Sequence, residues 1–407
     1  MKRKILAALL MLLALASGVA SHAATLSITR VWPERICYKP GETASILVAL
    51  SNAGKTTETA RLTVSVRWGL DGIDPLAATT LVLRAGAPCE VSLAYPIPSD
   101  RKWGHEVVAT VADEKGALQS TAREYFTVGR NPWEVGHYIT AFGMRDAEKN
   151  GRVDRDLLPR WRKDYITTVE AYSWMPSCFD NMSPTSDVWR SGQGWYVEGK
   201  AGWQYVVKQA HAQGMAVVTY IQSISYGPEG FEFARRHPEW LTYQKDGRPN
   251  AWFDVDKLAA GTEKPESLPP DTFGGITTGG FLPDRQQVGD YWIAEVMRSK
   301  EMFGWDGFRS DGNPGVTAGY DYTGKPYEVP DPGEANAAFL RKVRRVLTER
   351  YPDFLFGWNN VAGGYPQMYN KSPEEAVMLQ GAYSLFEHFN SAAQPSSPFH
   401  PWRKAAF

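Results

Sequence analysis

"GWQYVVKQAHAQGMAVVTYIQ", residues 202–222, sets a helix-patterned run against an apolar strand, with Gly214 between them as a helix stop. The same alternation governs everything downstream of "GRNPWEVG". Strands are expected at "GHYITAF" (136–142), "YITTVEAY" (165–172), "MAVVTYIQ" (215–222), "WDGFRSD" (305–311), "FLFGWNNV" (354–361) and "YSLFEHF" (383–389). Helices are expected between them, among them "DYWIAEVMRSKEMFG" (290–304) and "EANAAFLRKVRRVLTERYP" (334–352). Strands alternating with helices make a parallel sheet, and a (β/α)8 TIM-type barrel fits this rhythm best. Six βα steps are visible, and little chain follows the sixth strand. Either the last two units are missing, leaving an incomplete barrel over 130–407, or the fold is not a closed barrel. The abrupt end at "PWRKAAF" favours a truncated longer protein.

Upstream, residues 26–128 read differently. Short alternating segments such as "SILVALSNAGK", "ARLTVSVRWGLDG" and "HEVVATVADEKG" are separated by turn signals, as in an immunoglobulin-like β-sandwich. That module is expected over 24–129, so the chain is multidomain. Before it, Lys2, Arg3 and Lys4 precede an apolar run that ends at "SHA", a secretory signal over 1–23 with cleavage after Ala23. The run is too short to span a bilayer comfortably, so a soluble secreted or periplasmic product with no membrane partner is expected.

Composition narrows the function classes. The net charge is -1 over 407 residues, and no Lys/Arg run lies beyond the N-terminus, which argues against nucleic acid as a partner. Aromatic residues make up 13%, with 15 Trp and 19 Tyr, and their flat rings suit sugar faces as well as cores. Of the three cysteines, Cys37 and Cys89 are close enough in sequence to pair within one β domain, leaving Cys178 odd; three buried thiols are the other reading. The sequence shows no metal-spaced His/Cys cluster, phosphate loop or Ser elbow, so neither metal nor cofactor is expected.

Active sites of βα barrels gather at the C-terminal ends of the strands. In "GWDGFRSDGNPG" (304–315) alternation puts Gly307, Arg309 and Asp311 on one face, and Asp306, Phe308 and Ser310 on the other. Arg309 beside Asp311 would keep that acid ionised, as a nucleophile requires; the competing reading is a strand-end acid that caps a loop. Glu387 in "AYSLFEHF" is the second strand-end carboxyl, and Phe386 and Phe389 offer the apolar setting that holds an acid protonated. Two such groups flanking a bond are what glycoside hydrolysis needs. Around them Arg309, Glu170, Tyr172, Trp174, Tyr220, Asn359 and Asn360 are candidate substrate-binding residues, with packing or loop capping as the alternative.

These stretches together resemble glycoside hydrolase family 66, the dextranases and cycloisomaltooligosaccharide glucanotransferases. "CYKPGETASILVAL" is similar to the family's N-terminal module, and "DYITTVEAYSWMPSCFDNMSP" to its second-strand block. "AGWQYVVKQAHAQGMAVVTYIQSISYG" resembles its third-strand block, while "FGWDGFRSD", "FLFGWNNVAGGY" and "YSLFEHF" resemble its next three strand ends in order. The resemblance implies a retaining hydrolase on α-1,6-glucan, with Asp311 as nucleophile and Glu387 as acid/base. It also implies a polysaccharide or oligosaccharide substrate, and a monomer is expected. Ser173 stands where the family tends to carry an Asp, and "FEHF" departs from its usual surroundings, which bears on substrate more than on chemistry. The rival is a catalytically inactive or differently specific carbohydrate-binding relative.

Overall fold

The computed structural model describes residues 25–135, 137–141, 143–144, 157–172, 174–176, 182–191, 197–222, 224–226, 236–247, 275–277, 286–311, 319–327, 332–359 and 383–385. The expected signal segment 1–23 and Cys178 lie outside them. The chain divides into two compact units, residues 1–128 and 129–407.

In the first unit β1 (Leu26–Pro33), β2 (Cys37–Tyr38), β3 (Thr43–Asn52), β4 (Glu58–Trp68), β5 (Gly72–Leu83), β6 (Pro88–Pro96), β7 (Trp103–Asp113) and β8 (Leu118–Val128) form two sheets. Their strand orders are β1-β3-β6 and β2-β8-β7-β4-β5. Every second side chain points inward: Ala44, Ile46, Val48 and Leu50 from β3 join Ala60, Leu62, Val64 and Val66 from β4 in one core. Period-two patterning therefore decides which face each sheet buries. Cys37 and Cys89 are both free thiols. The reason is topological. Cys37 lies on the edge strand beside β8, whereas β6, which carries Cys89, neighbours β5 at the far edge.

The second unit builds one sheet by successive steps. β9 (Tyr138–Ala141), α1 (Leu157–Lys163) and β10 (Thr168–Ala171) come first. The hairpin of β11 (Val188–Arg190) and β12 (Val197–Gly199) leads into α2 (Lys200–Ala212) and β13 (Ala216–Gln222). Beyond it β14 (Ile224–Tyr226) pairs with β15 (Gly275–Thr277), and α3 (Gln286–Phe303) delivers β16 (Gly307–Asp311). A hairpin of β17 (Gly319–Tyr320) and β18 (Pro326–Tyr327) precedes α4 (Pro332–Arg350), β19 (Leu355–Asn359) and β20 (Tyr383–Leu385).

The sheet order is β9-β10-β13-β16-β19-β20, and every pairing in it is parallel. Each strand adds beside its predecessor, with none of the order reversal that marks a doubly wound sheet. Among the described residues β9 and β20 are its edges. The helices bury the stripes their spacing demands: Trp203, Val206, Val207 and Ala210 on α2, and Leu340, Val343 and Leu347 on α4. Gly214 ends α2 at φ 77° in a Schellman motif, where Gly214 N–H donates to His211 O and Met215 N–H to Ala210 O. Gly304 ends α3 at φ 87°, and its N–H donates to Lys300 O.

Candidate active site at the strand ends

Parallel register stacks the site in layers. Glu170 on β10 is level with Val218 and Gly307, and Tyr220 on β13 is level with Arg309 one layer nearer the strand ends. Asp311, the last residue of β16, is level with Gln222 one layer further on. The side chains of Asp311 and Asn359, and the whole of Asn360 and Glu387, lie outside the described residues.

The middle layers hold a buried ion pair. Arg309 Nε is 3.2 Å from Glu170 Oε1, and both side chains are almost wholly enclosed. The Tyr138 hydroxyl donates to the same carboxylate from β9. On the other side the guanidinium sits 5.0 Å over the Tyr220 ring, which meets Tyr172 edge-on at 4.8 Å. Tyr138, Glu170, Tyr172, Tyr220 and Arg309 therefore form one unit spanning four neighbouring strands. The sequence places Arg309 beside Asp311, and the structure adds that Glu170 holds its charge from the next strand but one. Glu170 and Arg309 are too enclosed to touch a ligand; they set the floor beneath Asp311.

Trp174 belongs to the packing. Its ring lies against Phe303, Trp305 and Trp189, its Nε1 donates to Thr219 Oγ1 at 2.6 Å, and its side chain is fully buried. Asp306 marks the opposite end of β16. Its Oδ2 accepts the Val217 N–H at 2.7 Å and lies 2.8 Å from His211 Nε2, tying α2 to the sheet below the site.

Sequence reading passes over Glu198. It sits fully buried on β12 and accepts the N–H groups of Gly143 and Met144, each at 2.8 Å, and Trp203 Nε1–H at 3.0 Å. Gly199 N–H donates back to Met144 O. Two consecutive backbone N–H groups, with Gly143 at φ 72°, make a small anion-binding concavity that Glu198 fills from within the chain. It thereby pins the segment that leaves the C-terminal end of β9. Burial pushes its carboxyl up to about 7 against the opposing pull of its three donors. Its short strand carries no periodic signal, which is why spacing does not reveal it. Among the described residues no group of three or more His, Cys, Asp or Glu is arranged to hold a metal ion, and no helix is long and apolar enough to cross a membrane.

Residues 33–379 match the model of glycosyl hydrolase family 66. The chain belongs to that family. Among solved structures this family 66 chain is similar to a cycloisomaltooligosaccharide glucanotransferase from Paenibacillus sp., complexed with cycloisomaltoheptaose. The TM-score is 0.60 at 16% identity, over 83% of this chain and 46% of that one, so the chain spans less than half of that protein's length. At this identity the likeness is one of fold. A maltogenic α-amylase from Thermotoga neapolitana matches more partially, with TM-score 0.36 and 18% identity over 57% of this chain and 46% of that one. No curated protein matches the sequence.

Proposed function

We propose that the protein is an exported, retaining glycoside hydrolase acting on α-glucan, with dextran-like α-1,6-glucan as substrate, Asp311 as nucleophile and Glu387 as acid/base. The observation that carries this reading is Asp311 itself, the residue that closes β16 at the C-terminal end of a parallel sheet in a family 66 chain. In the mechanism, an Asp311 carboxylate oxygen bonds to the anomeric carbon as the glycosidic C–O bond breaks, and Glu387 gives its proton to the departing oxygen. Glu387 then removes a proton from water or a sugar hydroxyl, which displaces Asp311 and restores the configuration. Arg309, two residues before the nucleophile on the same strand, is held in place by its ion pair with Glu170. Tyr172, with Asn359 and Asn360 at the next strand end, offers a ring and amides to sugar faces and hydroxyls, whereas Tyr220 is wholly enclosed and supports Arg309 and Tyr172 from beneath.

In this reading residues 24–129 are an immunoglobulin-like sandwich, and residues from 130 onward form a (β/α)8-type barrel wall. Residues 1–23 direct export and are removed, leaving a secreted or periplasmic monomer that needs no cofactor. The test is incubation of the full chain with dextran, pullulan, starch and xylan, following reducing ends and product sizes. Dextran is expected to be cleaved, with Asp311→Asn and Glu387→Gln each lowering turnover about a thousandfold or more while thermal melting is retained. Cleavage of xylan alone, or full activity in either variant, would overturn the assignment. Oligosaccharide binding without turnover would instead identify the inactive relative.

A further inference from the structure

A hairpin beyond the nucleophile strand displays an aromatic ring for which the packing has no use. Tyr322 is 54% exposed at the tip of the β17–β18 hairpin. The backbone beneath it is fixed. Asp321 Oδ1 accepts the N–H groups of Thr323 and Lys325, at 2.8 and 3.1 Å, and the Thr323 hydroxyl at 2.7 Å; Gly324, at φ 79°, closes the turn. The root of the hairpin is fixed too. Tyr320 and Tyr243 exchange backbone hydrogen bonds of 2.8 and 2.9 Å, and the Tyr243 hydroxyl donates to Pro238 O at 3.1 Å. Beside Pro238, Trp240 stacks on His237 at 4.1 Å and leans on Tyr291 of α3. In chain order residues 236–247 come after β13 and β14, and the hairpin comes after β16, whose last residue is Asp311.

We propose that the β17–β18 hairpin carries a remote α-glucan subsite in which Tyr322 stacks on a sugar ring of the chain, away from the bond being cleaved. This rests on the α-glucan reading above. Exposed side chains scattered singly need no explanation, and Leu70, Val82 and Trp103 of the first unit are such cases. Tyr322 differs in setting, on a pinned turn of the unit that carries Asp311. Its ring face carries negative potential that suits the C–H face of a pyranose. Because the turn is already rigid, ordering it on binding costs little. Thr323 and Lys325 on the same turn are exposed as well.

The test compares wild type, Tyr322→Ala and Tyr322→Trp as full chains, taking the ratio of KM on isomaltotetraose to KM on dextran. A remote subsite is used by the long chain only, so Tyr322→Ala is expected to lower that ratio about five- to tenfold, and Tyr322→Trp to restore it. Electrophoresis through dextran-containing gel reads binding without turnover, and there Tyr322→Ala should be retarded less than wild type. If dextran is cleaved and the ratio does not move, the subsite is overturned while the hydrolase reading stands. If wild type is retarded in a Tyr322-dependent way but cleaves nothing, the hydrolase reading falls and the subsite stands. A wild type that neither cleaves nor is retarded overturns both.

Discussion

The Glu170–Arg309 pair shows how one residue's neighbours come from far along the chain. With both groups almost wholly enclosed, removing either charge strands the other in a medium that solvates it poorly. Glu170→Gln and Arg309→Met are each expected to destabilise the second unit by about 3 kcal/mol, read by chemical denaturation. The double variant should cost less than the sum of the two, which the double-mutant cycle measures directly. Alternation along "GFRSD" suffices to set Arg309 on the face of Asp311, and Glu170 is recognisable as a strand-end acid. Their partnership is not readable, because it depends on two register choices that involve β13 as well. Glu198 gives a prediction in pH. Its carboxyl shifts from 4.5 to about 7 on folding, so between those values the native state holds more proton than the unfolded chain. The stability of the second unit therefore falls as pH rises from about 4.5 to 7, and Glu198→Gln flattens that slope, as melting temperatures across the range would show.

At the level of elements, the glycines separate what local sequence dictates from what packing dictates. Gly214 is visible as a stop because its left-handed φ closes a helix, a local event; Gly214→Ala should cost about 1 kcal/mol. Gly307 sits inside a strand, where the sequence gives only the hint that glycine there marks a close approach. The structure supplies the neighbour: a Cβ at 307 would lie 2.2 Å from Leu355 O, on the backbone of β19. Because that backbone is held in the sheet, Gly307→Ala should cost roughly 3 kcal/mol and loosen the β16–β19 pairing. Slowed amide exchange at Phe308 and Leu355 in wild type, lost in the variant, would report it. Long strands and helices are legible because their periods repeat several times. The pairs β11–β12, β14–β15 and β17–β18 are not, since two or three residues carry no period.

On the scale of the whole molecule, the two units close separate cores around buried titratable groups of opposite sign. In the first unit His105 is buried, stacked on Phe126 at 5.0 Å, and its Nδ1 lies 2.9 Å from Trp103 O. Burial holds its imidazole below the usual histidine value, so protonation favours the unfolded chain. The stability this contributes is present above about 6.5 and is lost as pH falls through the lowered native value. Glu198 acts the other way in the second unit, where acidification relieves the cost of a buried carboxylate. Residues 25–128 own every residue of their core, so as a fragment they should unfold in one cooperative transition. That transition should persist in the full chain beside a second one from residues 129–407. Between pH 7 and pH 5 the first is expected to move to lower temperature and the second to higher. Differential scanning calorimetry of fragment and full chain assigns each transition. His105→Phe should hold the first still and Glu198→Gln the second, and movement of both transitions together would show that the units do not unfold independently.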